Sequence, residues 1–248
     1  MNHPMDIAEF VKNGQRVLED TAAYYESLVD RPPMSTVEPG YLYKQMPLEA
    51  PEEPESFEAV RADIETKIMP GITHWQSGNF FAWYPGNTSF PSMLGDMYCN
   101  MLDARGFNWI CSPAVTELET VVTDWLGKLL GLSPRFMALN DDGTEGVGGG
   151  IIQGTASEAV LLAVIAARQC VFDRLYAQGA TESDIDNARS KMVVYYSDQT
   201  HSCSEKATLV IGCKGRKIAT DSKQRLMGPA LRAQIDEDKR AGLIPFFV

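Results

Sequence analysis

The sequence MVVYYSDQTHSCSE at residues 192–205 joins the pattern of a buried strand to the pattern of a helix start. Met192–Tyr196 is a run of β-branched, aromatic and other apolar residues, which favours a strand, and Ser197–Cys203 is polar enough for a loop. Ser202 and Glu205 then have the spacing of a helix-capping pair. A strand that leads through a loop into a helix is the repeating step of an α/β fold.

The residues that follow continue this alternation. Their pattern predicts short strands over Thr208–Ile211 and near Ile218, a helix over Gly228–Arg240 and an apolar strand over Ile244–Val248. Strands that alternate with helices are connected most simply in parallel. We therefore expect a mainly parallel sheet flanked by helices.

The first seventy residues have a different character. Met5–Leu28 carries apolar residues at helical spacing, and six of the fourteen prolines fall in the segment 32–54. Proline lacks the backbone donor that a helix interior or a central strand needs. We expect residues 1–70, with a short helix at Ser56–Ile68, to be an N-terminal helix and a proline-rich arm that packs on a second subunit. Residues 71–248 would belong to the main domain.

Composition and charge exclude several classes of function. The chain has 248 residues and a formal net charge of −11, and an acidic chain without a basic stripe argues against a nucleic-acid partner. It has no apolar run of about 18 residues, which argues against a membrane span. The five cysteines are scattered and include no CxxC pair. We therefore expect neither a disulfide framework nor a metal site, and a reducing, cytoplasmic location.

A glycine-rich segment precedes a strong helix start. Gly143–Gly154 contains six glycines, and the next residues, TASE at 155–158, place Thr155 and Glu158 at the spacing of a capping box. Free N–H groups at such a start can hold a phosphate, but the glycines match neither the dinucleotide-binding nor the P-loop pattern. A phosphate site and a plain glycine loop both remain possible. Ala159–Ala167 is apolar all round, which predicts a buried helix.

Two further features suggest a ligand site. His74–Asn87 holds five aromatic residues with neither helical nor strand periodicity, so the segment suits either core packing or the wall of a pocket for a flat ligand. His201 lies just past a predicted strand, at the edge where α/β sheets bind ligands. The alternative for His201 is a histidine that is merely exposed or hydrogen-bonded.

Several motifs together resemble the group II pyridoxal-phosphate decarboxylases, most of all the aromatic L-amino acid decarboxylase branch. The motifs are HWQS at 74–77, NFFA at 79–82, YP at 84–85, GFNW at 106–109, SPA at 112–114, TELE at 116–119, DWLGK at 124–128, QGTASEA at 153–159, SDQ at 197–199 and HS at 201–202. The resemblance covers nearly the whole chain. It implies a fold-type I, pyridoxal-phosphate-dependent transferase-like α/β fold and a homodimer in which the N-terminal arm wraps the partner.

The resemblance also implies residue roles. Ala156 and Ser157 correspond to contacts to the phosphate of pyridoxal 5'-phosphate, and His201 corresponds to the imidazole that stacks on its ring and assists catalysis. The aromatic-substrate pocket is implied at Trp75, Trp83, Tyr84, Pro85 and Phe107. Phe107 would reach the neighbouring subunit's site. The implied reaction releases CO2 from an aromatic L-amino acid and leaves the amine, with the cofactor as electron sink.

The sequence departs from the family's pattern at a few points. Gly86 stands where animal members carry a hydroxyl residue, and Arg105 stands where relatives tend to be apolar. The family's Schiff-base lysine and pyridine-binding aspartate are expected downstream of Phe246-Phe247-Val248. We therefore expect the N-terminal half of a decarboxylase, truncated and inactive alone. The alternatives are an aldehyde synthase of the same family, another amino acid as substrate, or a non-catalytic form that only dimerises.

Overall fold

The computed structural model describes residues 5–84 and 86–248, and the chain forms two compact units, Met1–Asp103 and Ala104–Val248. The helices of the first unit are α1 (Ile7–Ser27), α2 (Phe57–Asp63) and α3 (Phe90–Leu102). A π-helical turn (Ile64–Ile68) and a 3₁₀ turn (Met69–Gly71) continue α2. The assignment of residues 1–70 to a dimerisation arm stays a prediction.

The first unit is organised around α1. Asp6 caps this helix by accepting a hydrogen bond from the Glu9 amide, which satisfies one of the free N–H groups at its start. Asp20 on α1 accepts two hydrogen bonds from the guanidinium of Arg61 on α2, so the two helices are joined by a bidentate ion pair. The proline-rich segment between them consists of turns and extended chain, as predicted.

The second unit contains the alternating elements. They are α4 (Pro113–Leu129), a 3₁₀ turn (Pro134–Phe136), α5 (Ala156–Ala177), α6 (Glu182–Arg189), β1 (Met192–Ser197), α7 (Cys203–Ile211), β2 (Lys214–Ile218), α8 (Gly228–Arg240) and β3 (Ile244–Phe247). In the described residues the sheet has the order β2-β1-β3, and both pairings are parallel. The prediction of a parallel sheet flanked by helices is confirmed.

The core of the second unit lies on both faces of β1. Val194 packs on one face against Val164 of α5 and Ala207 of α7. Val193 and Tyr195 pack on the other face against α8. Successive residues of a strand point to opposite faces, so an apolar run such as Met192–Tyr195 fits a strand that is covered on both sides. The strand that precedes His201 is therefore buried over Met192–Tyr195.

Three local predictions need correction or addition. Thr208–Ile211 is the end of α7 and not a strand, because Thr208 is buried on this helix and its hydroxyl donates to the Glu205 carbonyl. The apolar stretch of α5 is only partly buried, since Val164 is covered and Leu162 is exposed. Helices α3 and α6 were not predicted, although each begins with a capping box. None of the helices in the described part of the chain has the length and apolar character needed to cross a bilayer.

Candidate functional site

The start of α5 offers hydrogen-bond donors to an anion. Thr155 Oγ1 accepts from the Glu158 amide at 3.1 Å, and Glu158 Oε2 accepts from the Thr155 amide at 2.9 Å. The amides of Ala156 and Ser157 lie between them in the first turn, where no intrahelical acceptor is in reach. Both residues are exposed. The start of α5 thus combines two N–H groups, a serine hydroxyl and the positive end of a helix dipole.

Residues 137–152 form a narrow ribbon that leads towards this helix start. In it, the glycine-rich segment folds back and pairs with residues 137–140. Gly146 donates to the Ala138 carbonyl at 2.7 Å, and Gly148 donates to the Met137 carbonyl at 3.1 Å. A Cβ atom on Gly148 would lie 2.3 Å from the Arg135 carbonyl oxygen, which is shorter than any tolerable contact. Backbone lies against backbone here, so glycine is required at this position for packing.

Two acidic residues of α4 hold this ribbon; both stand in the family-like motifs at 116–119 and 124–128, but no role was predicted for either. The carboxylate of Asp124 accepts from the amides of Ala138 and Leu139 at 2.8 and 2.9 Å. Glu119 Oε1 accepts from the Ile152 amide at 2.8 Å. The available signal was an aspartate within the apolar stripe of a helix, because such a residue is buried only when it is hydrogen-bonded.

His201 lies in the loop between β1 and α7. Its Nδ1 accepts a hydrogen bond from the Cys203 amide at 3.2 Å, so the neutral ring carries its hydrogen on Nε2. The loop is fixed at its base, where Thr220 Oγ1 donates to Asp198 at 2.8 Å and this bond lowers the pKa of the aspartate. His201 is exposed at the carboxyl end of the sheet, where α/β folds bind ligands.

The predicted aromatic residues are only partly brought together. Trp75 stacks on Trp83 with ring centroids 5.6 Å apart and on Phe80 at 5.0 Å. Trp83 adopts a φ of 46°, in the left-handed region that is costly for a large side chain. Tyr84 is 98% exposed and outside the stack. Pro85 lies outside the described residues.

The remaining residues singled out in the sequence lie at the surface. Phe107, in the second unit, is exposed. Arg105 is also exposed, and the carbonyl of Gly86 accepts from the side-chain amide of Gln76 at 2.9 Å. Among the residues that the structure describes, no group of three or more His, Cys, Asp or Glu side chains is arranged to hold a metal ion.

A buried histidine connects the start of the aromatic segment to α1. His74 precedes Trp75, and its Nδ1 lies 2.9 Å from the hydroxyl of Tyr24 on α1. Burial, together with the charge of Arg31, lowers the pKa of His74. The ring is therefore neutral at pH 7, and it fixes one end of the segment to α1.

Comparison with known proteins places these features in one family. The family model described as "Pyridoxal-dependent decarboxylase conserved domain" matches residues 39–248. The chain belongs to this decarboxylase family. The aromatic-L-amino-acid decarboxylase of Cavia porcellus is 48% identical over 244 residues, which are 98% of this chain and 50% of that protein. The phenylacetaldehyde synthase of Arabidopsis thaliana is 44% identical over 99% of this chain and 47% of its own length.

Solved structures agree with this assignment. The crystal structure of Oryza sativa TDC with PLP and tryptamine superposes with a TM-score of 0.90 at 31% identity, over 99% of this chain and 51% of that chain. Catharanthus roseus tryptophan decarboxylase in complex with L-tryptophan gives a TM-score of 0.88 at 37% identity, over 99% of this chain and 49% of that chain. The predicted transferase-like fold is confirmed. The chain spans about half the length of the relatives it matches.

The residues present fit the cofactor that this family uses. A phosphate group needs several N–H or O–H donors and a favourable dipole, and the start of α5 supplies both. The capping box occupies the Thr155 and Glu158 amides. The amides that remain as donors belong to Ala156 and Ser157, the two residues for which the resemblance implies phosphate contacts. The chemistry of the donor set therefore agrees with pyridoxal 5'-phosphate.

Proposed function

We propose that this sequence supplies the phosphate-binding and ring-contacting part of a decarboxylase that converts an aromatic L-amino acid to its amine and CO2. The observation that carries the proposal is the exposed start of α5, with its two amides and the Ser157 hydroxyl. When bound, pyridoxal 5'-phosphate supplies the electron sink for the bond that breaks at Cα of the substrate.

Each site residue has a distinct role in this proposal. Ala156 and Ser157 bind the phosphate and so fix one end of the cofactor. His201 stacks on the pyridine ring, and its Nε2 hydrogen is available for proton transfer because Nδ1 is engaged by the Cys203 amide. Trp75 and Trp83 provide flat apolar surface for an indole or phenol ring.

Three further residues complete the proposed substrate pocket. These are Tyr84 and Pro85 of the aromatic segment, and Phe107, which would reach the site of the neighbouring subunit. An aromatic wall favours an aromatic amino acid over glutamate, since a carboxylate loses its hydration there without gaining a partner. The Catharanthus roseus enzyme, whose structure holds L-tryptophan, supports the same preference.

The test combines this chain with the part of the Cavia porcellus (guinea-pig) decarboxylase that this chain does not match. Co-expressed, the two parts should release CO2 and amine in equal amounts from tryptophan, tyrosine or phenylalanine, and much less from glutamate. The 248-residue chain alone should release none. The matched control is the guinea-pig enzyme divided at the same point. A working control beside an inactive hybrid, or a preference for glutamate, would contradict the proposal.

An aldehyde synthase is the second candidate, because the Arabidopsis relative with that activity matches 99% of this chain. The same assay separates the two functions by product. A decarboxylase yields the amine, whereas an aldehyde synthase yields the aldehyde and ammonia and consumes oxygen. Aldehyde in place of amine would assign the second function.

Assembly and location are part of the proposal. We place the protein in the cytoplasm as a homodimer, in which α1 covers a partner. Ile7 and Phe10 of α1 are exposed, and the five cysteines, all described, are free thiols as in a reducing compartment. Light scattering should give twice the chain mass, and a monomer carrying Phe10→Asp would identify the α1 surface as the contact.

A further inference from the structure

Three successive contacts fasten the glycine-rich ribbon to α4. Asp124 holds Ala138 and Leu139, Thr123 lies against Gly150, and Glu119 holds Ile152. Glu119 and Thr123 are four positions apart and lie on the same face of α4, and Asp124 is next to Thr123 in the chain. The ribbon therefore runs along α4 from its C-terminal half towards its N-terminal half before it enters α5.

Asp124 fixes the base of the ribbon. Its side chain is only 5% exposed, and its two oxygens each accept one backbone N–H. Bonds from backbone amides to a carboxylate are short and strong. Because Gly146 and Gly148 donate to the carbonyls of Ala138 and Met137, this carboxylate sets the position of both sides of the ribbon.

Contact with Thr123 sets the distance between the ribbon and α4. A Cβ atom on Gly150 would lie 2.5 Å from Thr123 Cβ. The backbone of the ribbon therefore touches the helix at Gly150, two residues before the Glu119 bond. This close approach brings the Ile152 amide within reach of the Glu119 side chain.

Glu119 fixes the exit of the ribbon, which is the last point before the phosphate-binding turn. Ile152 is three residues before the N-cap Thr155, and its side chain is 64% exposed. Apolar packing therefore does not hold this residue in place. Its amide instead donates to Glu119 Oε1, so this carboxylate fixes the point at which Gln153 and Gly154 leave the ribbon, and the capping box fixes their other end at Thr155.

We propose that Glu119 is a positioning residue for the cofactor phosphate, and that Asp124 is its second anchor. Glu119 does not touch the phosphate. It holds the 150–155 segment so that the Ala156 and Ser157 amides point to one site, which reduces the conformational freedom lost on binding. This inference rests on the proposed function of the α5 start.

The test uses ligands that lack the cofactor's aldehyde, so that no lysine adduct forms. Binding of pyridoxine 5'-phosphate and of pyridoxine to the 248-residue chain is measured by NMR titration. Glu119→Ala should weaken the binding of the phosphorylated ligand by about tenfold, which corresponds to about 1.4 kcal/mol, and leave pyridoxine unchanged. Glu119→Gln retains an acceptor for the Ile152 amide and should stay within about twofold of the wild type.

A second readout needs no ligand, and a matched variant controls for lost charge. Hydrogen exchange over residues 150–157 should accelerate in Glu119→Ala and not in Glu119→Gln. The control is Glu117→Ala, which removes an equal charge two residues away, where Glu117 binds the indole N–H of Trp109 at 2.6 Å. It should change neither phosphate discrimination nor exchange at 150–157.

The outcomes separate the two proposals. A wild-type chain that binds pyridoxine 5'-phosphate no better than pyridoxine would overturn the phosphate site, and the positioning role with it. A wild-type chain that discriminates, with Glu119→Ala unchanged, would overturn the positioning role alone. Equal losses of affinity for pyridoxine 5'-phosphate in Glu119→Ala and Glu117→Ala would also overturn it, and so would a Glu119→Gln variant that binds as weakly as Glu119→Ala. Lost charge or lowered general stability would then explain the weaker binding.

Discussion

Replacing Asp238 should destabilise the strand that carries the His201 loop. Asp238 on α8 is 2% exposed, and its Oδ2 accepts from the Tyr195 hydroxyl of β1 at 2.9 Å. Arg216 of β2 donates to Oδ1 through Nη2, also at 2.9 Å. The bond from Arg216 lowers the pKa of Asp238 although burial opposes this. One carboxylate thus joins two strands to the helix that covers them.

The structure sets the expected cost of Asp238→Ala. The Tyr195 hydroxyl is buried and would lose its acceptor, which costs roughly 1–3 kcal/mol. The Arg216 side chain is 38% exposed and can be hydrated when it loses Asp238. Loss of this ion pair should therefore cost about as much as loss of a surface ion pair, about 1 kcal/mol or less. We expect a loss of about 1–4 kcal/mol in the free energy of unfolding. Tyr195→Phe keeps the ion pair and should lose only about 1 kcal/mol.

Urea denaturation followed by circular dichroism measures these losses, and hydrogen exchange of the Val193–Tyr196 amides assigns them to β1. Asp238→Asn is the matched control, since it keeps the shape and one acceptor oxygen. A loss below about 0.5 kcal/mol in Asp238→Ala, typical of a surface substitution, would refute the role of the carboxylate. A loss in Tyr195→Phe as large as that in Asp238→Ala would assign the effect to the tyrosine instead.

Three further predictions concern the site and its supports. His201→Ala in the hybrid enzyme should lower turnover by about 10²-fold, the scale for a lost acid–base group, with a smaller effect on cofactor affinity, and near-normal turnover would exclude its role. Because the pKa of His74 is lowered in the folded protein, the unfolded state binds the proton more readily, so stability should fall as the pH drops below about 6.5. Urea titrations at pH 7 and pH 5 should show a smaller fall in His74→Gln, and an equal fall would contradict this. Gly148→Ala should accelerate hydrogen exchange at Gly146 because its Cβ would meet the Arg135 carbonyl. Gly228→Ala, with no atom within 4 Å of its Cβ, should leave that exchange unchanged.

The features that were predicted correctly from sequence depend on neighbouring residues. The apolar run Met192–Tyr196 needs only cover on both faces to become a central strand. Thr155 and Glu158 form their capping box from side chains three positions apart. A parallel sheet then follows because helices separate the strands.

The features that were missed depend on contacts between distant segments. Thr208–Ile211 contains β-branched residues, but burial of Thr208 against neighbouring elements favours α7 over a strand. Glu119 bonds to a residue 33 positions away, and a helix pattern does not show which amide its carboxylate meets. The aromatic segment 74–87 had no periodicity from which stacked and exposed rings could be told apart.

The capping box explains why the proposed phosphate contacts fall on Ala156 and Ser157. A helix start leaves its first amides free, and any of them can bind an anion. Here the Thr155 hydroxyl accepts from Glu158 and the Glu158 carboxylate accepts from Thr155, so these two amides are occupied. The free amides that remain in the first turn are those between them, and neither residue has a bulky side chain that would cover its own N–H. The capping box thus leaves the Ala156 and Ser157 amides as the binding position, and Glu119 and Asp124 determine where that position lies relative to α4.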